Sequence, residues 1–254
     1  MASNPPGKCC TTGFKHEGTP TGKVVKVAGK WDAYVASPPA DKAHKDVAIL
    51  YIPDIFGIWQ NSQLLADQFA SDGYYTMVID ILNGDPLTLD QFGTVDLPKY
   101  IEQGSTGDNP HNPPAIDPIV KAAIKALKEE HGVKKIGSVG YCFGAKYLAR
   151  QFHKGAGIDV GFFAHPSFVS EDELAAICGP LSIAAAETDS IFPVDMRYKS
   201  EEILKKTALP YQINLFSGVT HGFAVRCDLS DRVQKFAKEQ AYCQAVAWFN
   251  QYLL

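Results

Sequence analysis

The stretch that decides the fold is Ser138-Val139-Gly140-Tyr141-Cys142-Phe143-Gly144-Ala145-Lys146. A run that favours β-structure, residues 135–139, leads directly into Gly-x-Cys-x-Gly, and good helix formers follow over residues 145–150. This is the pattern of a nucleophile elbow with cysteine at its centre. The glycines fit because a sharp strand-to-helix turn leaves no space for side chains beside the central residue. The pattern places Cys142 at a helix N-terminus, where the N–H groups and the helix dipole favour a thiolate.

Cys142 also has a plainer interpretation. Most buried cysteines behave as small hydrophobic residues, and Gly-x-Cys-x-Gly alone is a weak signal. The surrounding pattern favours a nucleophile, because the motif joins a predicted strand to a predicted helix and because an acid and a histidine follow it in the chain. The sequence therefore predicts an enzyme that uses a cysteine thiolate.

The composition is that of an ordinary globular protein. Hydrophobic residues make up 46% of the 254-residue chain, enough for one substantial core. The net charge of −4 supplies no positive field for a nucleic acid or an anionic membrane surface, so we expect neither as a partner. No apolar run approaches the roughly 18 residues that a membrane-spanning helix needs.

Cysteine usage and the N-terminus suggest the compartment and the domain organisation. The six cysteines are too sparse and irregular for a disulfide framework, and no CxxC pair suggests zinc, so we expect no metal site and a cytoplasmic location. The first residues lack the apolar core of a signal peptide. We interpret residues 1–21 as a flexible N-terminal arm and residues 22–254 as a single domain.

Strand and helix patterns alternate along the chain. Strands are predicted at residues 24–27, 31–36, 47–52, 75–79, 135–139, 160–164, 181–186 and 211–216, and helices at 61–71, 116–131, 145–150, near 171, 194–206 and 231–252. Residues 82–114 are rich in Gly, Pro, Asp and Asn, which is typical of a lid or binding loop, with a helical turn or two within 89–100. The alternation predicts a mostly parallel central sheet with helices on both faces.

Four polar residues follow predicted strands directly, where ligands bind in open sheets of this type. They are Asp54, Cys142, Asp189 and His221. The last three occur in the order nucleophile, acid, histidine, which is the chain order of the α/β-hydrolase fold. We therefore expect an α/β-hydrolase fold with these three residues meeting at one edge of the sheet.

The chemistry assigns a role to each residue. His221 is expected to accept the Cys142 proton, or to hold a thiolate–imidazolium pair. Asp189 would orient the imidazole, although an aspartate here also suits a helix cap, and Glu187 is an alternative acid. The backbone N–H groups of Ile55 and Phe143 are the expected donors to an oxyanion.

Four motifs together resemble the dienelactone hydrolase (carboxymethylenebutenolidase) family of α/β-hydrolases. They are Asp54-Ile55-Phe56-Gly57, Gly140-Tyr141-Cys142-Phe143-Gly144, Asp189-Ser190-Ile191-Phe192-Pro193 and His221-Gly222-Phe223-Ala224. The resemblance extends from about residue 22 to the C-terminus, and the N-terminal Cys9-Cys10-x-x-Gly13 is similar to the eukaryotic branch. It implies hydrolysis of an enol-lactone or related ester through a Cys-His-Asp triad, without a metal or organic cofactor.

The chain departs from the bacterial pattern of this family at two places. That pattern has glutamate at the position of Asp54, where the resemblance implies a carboxylate that engages the resting thiol. It also has two arginines for the dienelactone carboxylate. Only Arg226 matches one of them, displaced by one residue, and no arginine stands near Asn83 or Gly84. Arg226 is thus a candidate for binding a substrate carboxylate, with an exposed surface arginine as the alternative.

Further residues have weaker functional interpretations. His165 follows a predicted strand and is a candidate pocket residue, as are the aromatic rings of Tyr141 and Trp59. Packing in the core is the alternative for all three. Cys9 and Cys10 are either redox-active or simply structural or exposed thiols.

The sequence predicts a carboxylic ester or lactone hydrolase that works through an acyl-enzyme on Cys142. Acyl transfer or thioesterase chemistry at the same residues is an alternative within enzymes. A non-catalytic small-molecule binder that retains the fold is an alternative from another class. The expected partner is a small-molecule ester or lactone, and the expected state is a monomer or a homodimer.

Overall fold

A sheet of eight strands forms the centre of the computed structural model, which describes residues 1–7, 10, 12–91 and 94–254. The strands are β1 (Lys23–Val27), β2 (Trp31–Ala36), β3 (Val47–Ile52), β4 (Tyr75–Ile79), β5 (Lys135–Tyr141), β6 (Val160–Ala164), β7 (Leu181–Thr188) and β8 (Tyr211–Thr220). Their order across the sheet is β1-β2-β4-β3-β5-β6-β7-β8. β2 pairs antiparallel with β1 and β4, and the pairs from β4 to β8 are parallel.

Helices cover both faces of this sheet. They are α1 (Gln60–Ser71), α2 (Leu97–Gln103), α3 (Pro113–Glu129), α4 (Gly144–Arg150), α5 (Glu171–Ala175), α6 (Val194–Thr207), α7 (Phe223–Arg226) and α8 (Arg232–Tyr252). One apolar layer lies under α3, α4 and α6, and a second lies under α1 and α8. The predicted α/β-hydrolase architecture is confirmed. None of the helices in the described part of the chain combines the length and apolarity needed to cross a membrane.

The buried strand β3 shows why the sheet forms at its centre. All six of its residues are buried, and alternate side chains enter the two apolar layers. A strand with both faces covered needs a continuous apolar run rather than an alternating one, and Val47–Ile52 supplies it. β5 pairs with β3 along its length, so that Gly140 lies beside Ile52.

Several elements extend beyond their predicted ends. β5 continues to Tyr141 because it pairs with β6, and β7 and β8 continue to Thr188 and Thr220, which pair beyond a bulge. The helical turns predicted within residues 89–100 are a single turn at Leu89–Gln91 and the helix α2. The four-residue α7 was not predicted, because so short a helix has no measurable periodicity.

The first described residues of the chain form backbone hydrogen bonds with the domain, and the division into an arm and a domain stays a prediction. The N–H groups of Ala2 and Ser3 donate to the carbonyl oxygen of Val169 at 2.9 and 3.0 Å, and the Asn4 N–H donates to that of Ile191 at 2.7 Å. These are bonds between backbone groups, which side-chain patterns do not encode, so sequence analysis does not predict them. We refer to residues 1–16 as the N-terminal segment.

Candidate active site

The elbow places Cys142 between the end of β5 and the start of α4 with a strained backbone. Its φ is +52°, a left-handed conformation that is uncommon for residues other than glycine, and its side chain is fully buried. A Cβ on Gly144 would collide with the carbonyl oxygen of Ile52, and one on Gly140 would lie 2.7 Å from the Cα of Ala145. The turn therefore requires glycine at both positions, as the sequence pattern predicts.

A continuous chain of hydrogen bonds joins Cys142, His221 and Asp189. The Nε2 atom of His221 lies 3.1 Å from Cys142 Sγ, and its Nδ1 lies 2.9 Å from Asp189 Oδ2. The N–H groups of Ile191 and Phe192 donate to Asp189 Oδ1 at 2.8 and 3.1 Å, which fixes the carboxylate. Because the loops after β5, β7 and β8 meet at one edge of the sheet, residues distant in sequence become neighbours.

Burial and charge act in opposite directions on these groups. Burial alone would raise the pKa of Cys142, but the hydrogen bond between Cys142 and Cys10 and the positive charge of His221 lower it well below its ordinary value. Burial alone would lower the pKa of His221, but the negative charges of Cys142 and Asp189 raise it to about 10. Both shifts favour a thiolate–imidazolium pair, with the Asp189 carboxylate on the far side of the imidazole ring.

The two candidate acids have different surroundings. Asp189 is the carboxylate that contacts His221. Glu187 is exposed at the end of β7, and its carboxylate accepts a hydrogen bond from the Gly218 N–H at 2.8 Å. The geometry therefore favours Asp189 as the partner of the imidazole.

The two N–H groups expected to bind an oxyanion lie on neighbouring loops. Phe143 follows Cys142 directly, and Ile55 is in the loop after β3, the strand that pairs with β5. Both residues are buried, and the Ile55 carbonyl accepts from the Leu87 N–H at 3.0 Å. Their role as oxyanion donors stays a prediction.

Arg226 and Asp54 form a buried ion pair at the site. Arg226 Nη1 donates to Asp54 Oδ2 at 2.7 Å, and each side chain is only 1% exposed. Arg226 Nε also donates to the Thr12 carbonyl at 2.6 Å, and the guanidinium lies over the Phe56 ring. The interpretation of Arg226 as an exposed arginine is therefore wrong. Burial raises the pKa of Asp54 to about 6, although the charge of Arg226 opposes the increase.

The two aromatic candidates take different positions. The ring of Tyr141 is fully buried, with its centroid 4.8 Å from that of Tyr51 in the layer under α1 and α8, so its observed contacts are those of core packing. The half-buried Trp59 precedes α1, and its ring lies 4.8 Å from that of Phe56. Trp59 thus packs on Phe56, whose ring also contacts Arg226. Its contact with substrate stays a prediction.

His165 lies against the other histidine of the site. Its ring centroid is 5.0 Å from that of His221, and the side chain is fully buried. Neither ring nitrogen has a hydrogen-bond partner among the described residues. Burial lowers the pKa of His165 well below its ordinary value, so the ring is neutral. It adds no second positive charge beside the imidazolium.

Sequence reasoning did not place Cys10 or Ser167 beside the nucleophile. Cys10 Sγ lies 3.5 Å from both Cys142 Sγ and His221 Nε2. Ser167 Oγ lies 3.7 Å from Cys142 Sγ, and the Ser167 N–H donates to the Cys142 carbonyl at 3.0 Å. Cys10 was singled out only as one of two adjacent thiols, and no periodicity linked it to the elbow. Cys9 lies outside the described residues.

One group of side chains in the described part of the chain has the donor atoms of a metal site. The ligand atoms of Cys10, Cys142 and His221 all lie within 4.8 Å of one another. Two sulfurs and an imidazole nitrogen suit zinc or another soft metal ion. Two of these atoms, Cys142 Sγ and His221 Nε2, are in direct contact with each other, so a metal ion would compete with that contact.

The N-terminal segment covers this site. Cys10 contacts both reacting groups, Thr12 accepts from Arg226, and Gly13 packs so closely on Arg226 that a Cβ there would lie 2.6 Å from its side chain. A cavity of about 560 Å³ opens between β8 and α8, and none of the candidate residues lines it. Three described residues of the segment, Cys10, Thr12 and Gly13, therefore lie against side chains of the site.

Comparison with known proteins identifies the family of the chain. The model of the dienelactone hydrolase family matches residues 31–253. The chain belongs to the dienelactone hydrolase family. It is similar to hydrolase pyvD of Aspergillus violaceofuscus (47% identity, 100% of this chain and 99% of the relative) and to hydrolase tropI of Talaromyces stipitatus (44%, 100% and 99%). A putative dienelactone hydrolase from Klebsiella pneumoniae has the same fold, with a TM-score of 0.71 at 16% identity over 91% of this chain and 99% of that one.

The family resemblance predicted from the four motifs is confirmed. The protein is a hydrolase of the dienelactone hydrolase family, and hydrolysis of carboxylic esters is its general type of reaction.

Loss of one partner of the Arg226–Asp54 pair should lower the stability of this member of the dienelactone hydrolase family. In Asp54→Ala the buried guanidinium keeps its charge but loses its carboxylate, so we expect the free energy of unfolding to fall by about 3–5 kcal/mol. Urea denaturation measures the change. Glu239→Ala is the control, because it removes a carboxylate from an exposed ion pair with Lys235 and should cost less than about 1 kcal/mol. Equal small losses in the two variants would contradict this interpretation.

Proposed function

We propose that this protein hydrolyses a carboxylic ester or lactone through a covalent acyl-enzyme on Cys142, with Cys142, His221 and Asp189 as a catalytic triad. The observation that carries the proposal is the unbroken chain of short contacts, 3.1 Å from Cys142 Sγ to His221 Nε2 and 2.9 Å from His221 Nδ1 to Asp189 Oδ2. These contacts lie at the nucleophile elbow in a buried site, where charges interact more strongly than in water. Membership of the dienelactone hydrolase family supports the substrate class.

In the first half of the proposed reaction the enzyme is acylated. The Cys142 thiolate attacks the carbonyl carbon, and the backbone N–H groups of Ile55 and Phe143 stabilise the negative charge on the carbonyl oxygen. The carbon–oxygen bond of the ester then breaks. The His221 imidazolium gives its proton to the leaving oxygen, which remains part of the same molecule when the substrate is a lactone.

In the second half water releases the acyl group. Neutral His221 takes a proton from a water molecule through Nε2, and the oxygen attacks the thioester carbonyl. The bond from carbon to Cys142 Sγ breaks, which gives the carboxylic acid and restores the thiolate beside the imidazolium. The same nitrogen thus acts as acid and then as base.

Asp189 contributes by position and charge. Two backbone N–H groups hold its carboxylate, so it fixes the imidazole with Nε2 facing the sulfur. It also stabilises the positive charge that His221 carries before attack. Asp189 transfers no proton in this scheme.

The charges around the site favour a substrate less charged than a carboxylated dienelactone. Asp54 already neutralises Arg226, which is the arginine available for a substrate carboxylate. At the position where the resemblance implies a second arginine, the Asn83 side chain donates to Asn109 Oδ1 instead. A dienelactone carboxylate would therefore lack the two guanidinium contacts of the bacterial pattern.

Substitution of each triad member tests the assignment through kcat/KM for a neutral aryl ester. We expect Cys142→Ala and His221→Ala to lower kcat/KM at least about 10³-fold, because they remove the nucleophile and the proton carrier. Asp189→Asn should have a smaller effect, because Asp189 only orients and stabilises the imidazolium. Glu187→Gln is the matched control and should remain within about twofold of wild type.

Two results would contradict these assignments. Activity of Cys142→Ala within about tenfold of wild type would exclude Cys142 as the nucleophile. Full activity of Asp189→Asn together with loss of activity in Glu187→Gln would move the acid role to Glu187.

The pH dependence of kcat/KM tests the ion pair directly. Because His221 must carry a proton to protonate the leaving group, kcat/KM should be constant through neutral pH and fall as the pH rises through about 10. In Asp189→Asn this alkaline limb should shift to lower pH, because the carboxylate helps to raise the pKa of His221. Glu187→Gln should leave the limb in place. An alkaline limb near the ordinary histidine value of about 6.5 in wild type would contradict the thiolate–imidazolium pair.

A further inference from the structure

We propose that Cys10 and Cys142 form a reversible disulfide when a peroxide oxidises the site, and that this bond holds the N-terminal segment closed over the nucleophile. The inference rests on the proposed function in one respect, the thiolate character of Cys142. It assigns a function to Cys10, which hydrolysis does not use.

The two sulfur atoms are already in contact. Cys10 Sγ lies 3.5 Å from Cys142 Sγ, and both side chains are fully buried. A disulfide requires a sulfur–sulfur distance near 2.05 Å, so the atoms need to approach by only about 1.5 Å.

Bonds on both sides of Cys10 hold it in this position. Toward the N-terminus, the Asn4 N–H donates to the carbonyl of Ile191, in the loop after β7. Toward the C-terminus, the Thr12 carbonyl accepts from Arg226 Nε, and the Phe14 N–H donates to the Arg226 carbonyl at 2.9 Å. Cys10 therefore lies in the chain between two anchored positions, Asn4 and Thr12.

The electrostatic surroundings favour reaction at sulfur. Burial would lower the pKa of Arg226, but the charges of Asp54, Cys142 and Cys10 outweigh burial and raise it. The interaction is mutual, so the guanidinium stabilises negative charge on either sulfur. Peroxides react with thiolates rather than thiols, and Cys142 has the paired imidazolium in addition.

The proposed oxidation occurs in two balanced steps. The Cys142 thiolate attacks hydrogen peroxide, the oxygen–oxygen bond breaks, and Cys142 becomes a sulfenic acid, while the His221 imidazolium, 3.1 Å from Cys142 Sγ, gives its proton to the departing hydroxide, which leaves as water. Cys10 Sγ then attacks Cys142 Sγ, and the sulfur–oxygen bond breaks. His221 Nε2, 3.5 Å from Cys10 Sγ, carries the Cys10 proton to the departing hydroxide, which leaves as water. The two thiols supply the two electrons that reduce the peroxide, and an added dithiol reverses the bond.

The disulfide would have two consequences for the enzyme. It blocks substrate entry, because Cys10 is attached to the N-terminal segment that covers the site. It also protects the nucleophile, since a sulfenic acid that is not captured by a thiol is oxidised further to sulfinic acid, which a dithiol does not reduce.

The experiment treats the full-length protein with hydrogen peroxide in the presence of a metal chelator. Wild type, Cys10→Ser and Cys9→Ser are compared, the last as the matched control because it removes the adjacent thiol. Activity toward a neutral aryl ester is measured before peroxide, after its removal and after dithiothreitol, each variant relative to its own reduced sample. Peptide mass mapping of the oxidised samples identifies the linked cysteines through a loss of about 2 Da per disulfide.

We expect wild type and Cys9→Ser to lose activity at least tenfold, to contain a Cys10–Cys142 linked peptide, and to recover most activity with dithiothreitol. Cys10→Ser should lose activity and recover less than about a tenth of it, because its Cys142 proceeds to the sulfinic acid. Recovery of Cys10→Ser equal to that of wild type, or a link from Cys142 to Cys9 instead, would overturn the proposal.

The mass map does not depend on turnover, so it separates this inference from the proposed function. If Cys142→Ala abolishes activity but the oxidised wild type contains no Cys10–Cys142 link, the disulfide proposal is wrong and the nucleophile assignment is unaffected. An active Cys142→Ala variant contradicts the nucleophile assignment instead, whatever the map shows for Cys10.

Discussion

The close approach of two loops at Gly144 is the constraint on which the site depends. A side chain there would collide with the carbonyl oxygen of Ile52, so only glycine lets the loop after β5 lie directly on the loop after β3. This approach turns the chain sharply, leaves Cys142 with a φ of +52° and brings its sulfur toward His221. The elbow that carries Cys142 is thus positioned by a close backbone contact with the end of β3.

Around this turn the protein buries charges of both signs. Cys142 and Asp189 are paired with His221, and Asp54 is paired with Arg226. A buried ion costs several kcal/mol unless a partner and hydrogen bonds compensate, so none of these groups is stable in the site alone. The arrangement explains how the fully buried thiol of Cys142 has a lowered pKa. It also explains why the N-terminal segment belongs to the site, since Thr12 accepts a hydrogen bond from Arg226 and Cys10 contacts Cys142.

The sequence predicts the parts of the site that local pattern encodes. The glycines and the cysteine of the elbow are adjacent in the chain, and Asp189 and His221 directly follow strands, so strand prediction and chain order were enough. The pair of Arg226 with Asp54 joins residues 172 positions apart, and the contact of Cys10 with Cys142 spans 132 positions. The periodic sequence patterns that predict strands and helices do not reveal such long-range contacts. The cytoplasmic location, the monomeric or homodimeric state and the division into an arm and one domain stay predictions from the sequence.

The most direct test of the central claim is to identify the acylated residue during turnover. A neutral aryl ester whose acyl group is released slowly is mixed with the enzyme, the reaction is quenched in acid within one turnover, and the acyl group is located by peptide mass spectrometry. The account predicts one acyl group per protein, attached to Cys142 as a thioester, with a lifetime that matches the turnover rate. Acyl groups on Cys10 or Ser167 instead, or steady turnover with Cys142 unmodified, would contradict it.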